Sequence, residues 1–149
     1  MEYYELKKDE YLLSTDPSKL QVDMIHSYLS KESYWALNIP KETVERSIKN
    51  SMPFGLYANG QQVGFARLVT DRTIFAYLAD VFILPAFRGK GLSKWMIKFI
   101  QSHPELQGLR RWMLATRDAH GLYEQFGWTT LDEEAKKRLM HRHNKNVYQ

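Results

Sequence analysis

Residues 74–84 (IFAYLADVFIL) form an apolar, β-rich run, and residues 110–117 (RRWMLATR) form another. Between them Leu92, Trp95, Met96, Phe99 and Ile100 recur at i, i+3, i+4, i+7 and i+8, the spacing of one helix face. Strand, helix and strand in that order demand a parallel pair joined by a right-handed crossover. A strand apolar over its whole length belongs in the middle of a sheet, covered on both sides. This unit excludes an all-helical bundle and an all-antiparallel sandwich.

The flanking segments add antiparallel strands. Residues 53–58 (PFGLYA) and 62–70 (QVGFARLVT) enclose the turn dipeptide Asn59-Gly60 and predict a hairpin. Asp71-Arg72 turns the chain into the 74–84 strand. Alternation puts Val63, Phe65, Arg67 and Val69 on one face and Gly64, Ala66 and Leu68 on the other. In the next strand it groups Leu78, Asp80, Phe82 and Leu84 against Val81 and Ile83. Upstream, residues 11–15 (YLLST) read as a short strand, and Asp16 as the N-cap of a helix carrying Val22, Ile25 and Leu29 on one face. Pro40 opens a second helix with Val44 and Ile48 one turn apart. Downstream, residues 119–126 (AHGLYEQF) read as a short helix and Gly127-Trp128 as a turn back into strand. The tail from Asp132 is charged, with residues 138–142 a candidate last edge strand. The expected fold is α/β: a mixed, mostly antiparallel central sheet of about six to seven strands with helices on both faces. Its 149 residues fit one domain, 1–149.

Composition excludes several functions. There is no cysteine, hence no disulfide, no thiolate zinc site and no cysteinyl intermediate. With 44% hydrophobic and 26% charged residues the chain is no disordered or low-complexity scaffold. No apolar run approaches the roughly 20 residues that span a bilayer. The opening MEYYELKKDE is too polar and acidic for a secretory or transit signal, so a cytoplasmic location without membrane association is expected. Residues 1–75 hold 9 Lys+Arg against 10 Asp+Glu, a net of −1, and residues 76–149 hold 12 against 7, a net of +5. No nucleic-acid-binding motif accompanies the basic half, so no nucleic-acid partner is expected. His141 and His143 have no carboxylate at a metal-site spacing, so no metal is expected.

The chemistry concentrates at residues 81–93 (VFILPAFRGKGLS). A buried strand ends, a basic glycine loop follows, and a helix begins. Unpaired N–H groups and the positive end of the helix dipole meet there, which makes an anion site. Gly89 and Gly91 let a phosphate approach the backbone, and Arg88 and Lys90 add charge. Neither the P-loop pattern nor the dinucleotide fingerprint is present. On this segment alone a plain strand-to-helix turn that needs glycine remains the competing reading.

Two motifs in the same order and register resemble the GNAT superfamily of acyl-CoA-dependent N-acyltransferases. The first, [Q/R]-x-x-G-x-[G/A], is Arg88-Gly89-Lys90-Gly91-Leu92-Ser93, with Ser93 in the place of the usual Gly or Ala. The second, A-x-x-L-Y-x-x-x-G-[F/W], is Ala119, Leu122, Tyr123, Gly127 and Trp128. The resemblance covers roughly residues 10–143. It implies acetyl-CoA as co-substrate, its pantetheine arm along the strand ending at Leu84, paired with backbone groups of Val81 and Ile83 beside Phe82. It implies the pyrophosphate over Gly89, Lys90, Gly91, Leu92, Ser93 and Lys94, with Arg88 beside it. Thr116 stands seven residues before the tyrosine, where the family often carries a cofactor-contacting Asn. Tyr123 would lie beside the cofactor sulfur, where a phenol can donate to a departing thiolate.

The implied reaction moves an acetyl group to a primary amine of a small molecule or peptide. Without cysteine, direct attack in a ternary complex is expected. The amine must lose a proton, and Asp80, mid-strand beside the expected reaction centre, is a candidate base; a substrate anchor or a structural carboxylate are the alternatives. His26, Tyr34 and Trp35 belong to the first helical region, which in the family walls the acceptor pocket, with Tyr77, Asp71 and Arg72 near its rim. A catalytically inert acyl-CoA-binding or sensing module is the alternative function. A homodimer is compatible with the sequence.

Overall fold

The computed structural model of the protein describes residues 2–149. The elements are β1 (Glu5–Lys8), β2 (Tyr11–Ser14), α1 (Val22–Lys31), α2 (Lys41–Lys49), β3 (Met52–Ala58), β4 (Gln61–Thr70), β5 (Phe75–Ile83), α3 (Leu92–Gln101), β6 (Arg111–Leu114), α4 (His120–Glu124) and α5 (Glu133–Arg138). The six strands form one sheet in sequence order. Every pairing is antiparallel except β5 with β6, the parallel pair that the strand–helix–strand unit demanded.

Each face carries its own apolar layer. Leu92, Met96, Ile97, Phe99 and Ile100 of α3 pack with Leu13, Phe54, Leu56, Ala66, Leu68, Ala76 and Leu78. On the opposite face Ile25 and Leu29 of α1 and Val44 and Ile48 of α2 pack over Phe65 and Phe82. The Asn59-Gly60 turn has φ of +51° and +84°, the mirror-image turn that matches strand twist in a two-residue hairpin. Asp16 caps a single 3₁₀ turn, Pro17–Lys19, rather than α1, which starts at Val22.

Two bulges break the alternation expected from sequence. Leu56 and Tyr57 of β3 face Gly64 and Gln62 of β4, so Val63 is an extra residue and turns to the α3 side with Ala66 rather than with Phe65. Phe65 and Arg67 of β4 face Phe82 and Ala79 of β5, so β5 carries one residue too many at Asp80-Val81. Asp80 absorbs it with φ +55°, a left-handed conformation that Asp tolerates better than most L-residues. In consequence Leu78 packs on the α3 face and Phe82 on the α1–α2 face, although both are even-numbered.

Three further differences have local causes. Glu5–Lys8 is exposed throughout, and its ELKK sequence offers no apolar alternation, so β1 left no signal. Residues 128–132 and 139–142 form no strand, which leaves β6 as the sheet edge. Part of the charged tail is instead α5. The Asp132 carboxylate caps it by accepting from the Ala135 N–H at 2.8 Å, acidic residues lead, basic residues close, and Arg138 pairs with Glu134 at 2.7 Å.

His103 gives the fold a pH dependence. Its ring is buried, stacks edge-on against Tyr4 and Phe54, and accepts the Glu105 N–H on Nδ1 at 3.1 Å. Burial pushes its pKa below the ordinary 6.5. The unfolded chain then binds more protons than the native one from about pH 6.5 down to the folded pKa. Stability should be full above that window and fall as pH drops through it. Urea midpoints measured from pH 7.5 to 5 should show the fall, and His103→Gln should flatten it.

Candidate active site

β5 and β6 pair only from Phe75↔Arg111 to Leu78↔Leu114. Beyond that point β6 ends, while β5 runs on through the Asp80 bulge to Ile83. The two strands therefore open a notch bordered by a stretch of β5 with no strand beside it. The Leu84 N–H donates to Val63 O on β4 at 2.8 Å, so strand alternation turns the Ile83 backbone toward the notch. The Ile83 carbonyl accepts from Arg88 Nε at 2.9 Å, and Arg88 Nη2 donates to the Tyr28 hydroxyl at 2.9 Å. The Arg88 guanidinium is thus committed to the end of β5. Tyr28 itself stacks on Phe82 with ring centres 4.0 Å apart. Phe82 is buried between Tyr28 and Phe65, and Val81 packs toward α3.

The glycine loop sits at the same end of β5. Gly89 and Gly91 both have φ +77°, and neither has a neighbour where a Cβ would stand. Gly91 is the N-cap of α3, and no side chain caps the helix. The first-turn N–H groups of Leu92, Ser93 and Lys94 therefore face outward, and the dipole of a ten-residue helix adds to them. The Leu92 side chain is core, so only its backbone can serve a ligand. Lys90 is exposed, its Nζ 5.4 Å from the Phe87 ring centre. A diphosphate fits this loop: open, left-handed, uncapped and basic.

Tyr123 lies on α4 with its ring in the α3-side core, 5.8 Å from Trp128 centre to centre. Gly127, φ +90°, reverses the chain so that the Trp128 N–H reaches Tyr123 O at 3.3 Å. Trp128 Nε1 donates to Gln101 Oε1 at 2.8 Å and fixes this turn on α3. The A-x-x-L-Y-x-x-x-G-W pattern thus encodes a turn that immobilises the tyrosine. Burial, with Tyr34 adding to it, pushes the Tyr123 phenol up to about 12. The Thr116 hydroxyl accepts the Ala119 N–H at 3.0 Å and so supports the start of α4.

Asp80 is central to a polar chain on the α1–α2 face. Its Oδ1 accepts from Trp35 Nε1 at 2.8 Å, and its Oδ2 accepts from Arg67 Nε at 2.9 Å. Arg67 Nη1 continues to Ser51 Oγ at 3.0 Å. Tyr34, packed edge-on against Trp35 at 5.0 Å, accepts the Arg117 N–H on its hydroxyl at 2.9 Å and carries the Arg117 guanidinium 4.0 Å over its ring. The α1–α2 connection is therefore tied to β5 by Trp35 and to the segment after β6 by Tyr34. It spans the notch.

Tyr34, Trp35 and Asp80 are thus brought together. His26 is not part of that group; its Nε2 donates to Ile39 O at 3.0 Å and braces the connection from behind. Tyr77 is exposed on the sheet face, three residues from Asp80. Arg67, Tyr28 and Arg117 had no sequence signal, because each acts through a partner far away in the chain. Elsewhere a concavity of about 440 Å³ lies along the free edge of β6, lined by Trp112, Trp128 and Asp132 among others; it holds none of these residues. Among the described residues no group of His, Asp and Glu could hold a metal ion, and no helix is long and apolar enough to cross a membrane.

Known proteins resemble this chain in sequence and fold. The family model described as Acetyltransferase (GNAT) family matches residues 22–128. A Gibberella zeae protein named as an acetyltransferase is 38% identical over 138 residues, covering 78% of this chain and 77% of its own. The crystal structure of a protein assigned to the GNAT family from Xanthomonas campestris pv. campestris superposes with TM-score 0.89 at 46% identity, over 93% of this chain and 96% of that one. A Clostridium acetobutylicum protein solved with acetyl-CoA has TM-score 0.60 at 12% identity, over 89% of this chain and 92% of that one; at that identity it shows the fold alone.

Proposed function

The chain belongs to the GNAT family of acetyltransferases, and from that premise we propose that it transfers an acetyl group from acetyl-CoA directly to a primary amine of a small molecule or peptide. The observation that carries this reading is the uncapped glycine loop beside the unpaired end of β5. Acetyl-CoA, when bound, supplies an acyl thioester. The first-turn N–H groups of α3 hold its diphosphate, and the Ile83 N–H and the Val81 backbone orient the extended arm in place of a neighbouring strand.

Tyr123 holds its proton on Oη throughout the physiological range and is the hydrogen-bond donor for the leaving sulfur. Asp80 works as a structural carboxylate: both of its oxygens already have donors, so it fixes Trp35 and Arg67 around the bulge rather than collecting the amine proton. That proton passes to water at the exposed mouth beside Tyr34 and Trp35.

Acetyl-CoA at millimolar concentration should raise the melting temperature by mass action. Gly91→Val places a β-branched residue at φ +77°, which should cost roughly 1–2 kcal/mol of stability and abolish that rise. No rise in the natural protein would remove the proposal. Free CoA release over an amine panel then separates an enzyme from an inert acyl-CoA-binding module.

A further inference from the structure

The sheet face beyond Asp80 is left bare by α1 and α2. The register places Val69, Tyr77 and Met113 in one row across β4, β5 and β6, with Phe75 and Arg111 in the next row and Arg67 and Ala79 in the row nearest the notch. Val69, Phe75 and Tyr77 are exposed, as are Tyr34 and Trp35 at the notch. An apolar, largely aromatic platform therefore runs outward from the place where an amine would be acylated. Rows are about 7 Å apart, so Tyr77 lies within reach of a phenylalanine-sized side chain whose amine is at the notch.

Charge narrows the occupant. None of the seven residues in those rows is acidic. Asp80 is spent on Arg67 and Trp35. Asp71, at the far end, spends Oδ1 on the N–H groups of Thr73, Ile74 and Phe75. Arg67 is spent on Asp80, but two other cations are not. Arg117 and Arg111 form no ion pair among the described residues. Arg117 is held over the Tyr34 ring beside the notch. Within the rows themselves a polycation would meet guanidinium groups and no carboxylate.

Resting on the acetyltransferase reading above, we infer that the acceptor is an α-amino acid with a flat apolar side chain. The carboxylate meets Arg117, the side chain lies on Tyr77, Val69 and Met113, and the α-amine points into the notch. The nitrogen–acetyl bond forms as the carbon–sulfur bond breaks. The amine proton leaves to solvent, the thiolate takes up one proton, and the products are an N-acetyl amino acid and free CoA.

Three acceptors test this with acetyl-CoA as donor: L-phenylalanine, L-phenylalaninamide and spermidine. The amide keeps the ring and lacks the carboxylate. Its amine is less basic, so basicity alone would favour it. The expected result is a kcat/KM for phenylalanine at least tenfold above that for the amide and for spermidine. Arg117→Ala should collapse the acid-to-amide preference toward one, mainly through KM, and Arg117→Lys should restore part of it. An amide equal to the acid, a preference for spermidine, a preference that survives Arg117→Ala, or no acylation of phenylalanine while acetyl-CoA still raises the melting temperature would overturn the inference alone. A dimer by light scattering that Tyr77→Glu splits would assign the platform to a second copy and overturn it as well. Absence of any acetyl-CoA effect would instead remove the underlying reading.

Discussion

Tyr123→Phe should lower turnover about 10²-fold while acetyl-CoA still raises the melting temperature. The substitution keeps the ring against Trp128 and removes one oxygen. Among the described residues that oxygen has no hydrogen-bond partner, yet it is not sealed from solvent. Its loss should therefore cost less than about 1 kcal/mol of stability. With the phenol near 12, complete transfer of its proton to a thiolate whose conjugate acid lies near 8.5 is uphill by roughly three units. The hydroxyl thus acts by donating a hydrogen bond as charge develops on sulfur, and the defect should shrink for donors with more acidic leaving thiols. The high phenol pKa also predicts that Tyr123 contributes no alkaline limb below about pH 11, so a rise of kcat/KM with pH reports the acceptor amine. Wild-type turnover in the Phe variant, with chemistry rate-limiting, would take Tyr123 out of the reaction.

Asp80→Ala should destabilise the fold by about 4 kcal/mol. It strands the Arg67 guanidinium, 18% exposed, without its carboxylate, frees the Trp35 indole N–H, and asks Ala to adopt φ +55°. Breaking a mostly buried pair costs about 3 kcal/mol, and the backbone adds about 1 kcal/mol. For a chain of this length that is a fall of roughly 8–16 °C in Tm. Asp80→Asn keeps an acceptor for Trp35 and the tolerance for a left-handed backbone. Its turnover should stay within about tenfold of wild type. A loss of 10² or more in a folded Asn variant, with a changed pH profile, would return the residue to the role of base. Pairing Asp80→Ala with Arg67→Ala should cost less than the sum of the two, because the stranded charge is then gone.

The elements that bury apolar faces were legible as sequence. The α3 stripe from Leu92 to Ile100, the Asn59-Gly60 hairpin and the apolar β5 each carry their own periodicity, and local physics suffices to read them. Polar elements were not: β1 and α5 bury nothing, so β1 depends on pairing with β2 and α5 on its cap and end charges. The glycine loop and the tyrosine turn were legible too, because left-handed backbone positions at Gly89, Gly91 and Gly127 demand a particular residue type at a particular spacing.

Tertiary structure alone decided what those residues face. The Asp80 bulge is one extra residue in a register set by β4, and nothing in the β5 sequence announces it; it moved Phe82 to the opposite face from Leu78. The Trp35–Asp80–Arg67 chain is made of links across 45 and 13 residues, and Tyr34 meets Arg117 across 83 residues. Sequence dictated where glycine, apolar and turn residues must stand, since backbone sterics and burial act locally. Which donor reaches which carboxylate, and which guanidinium is left free for a ligand, follows only from strand register and from the path of the α1–α2 connection, because hydrogen bonds and ion pairs form wherever folding brings the groups within about 3 Å.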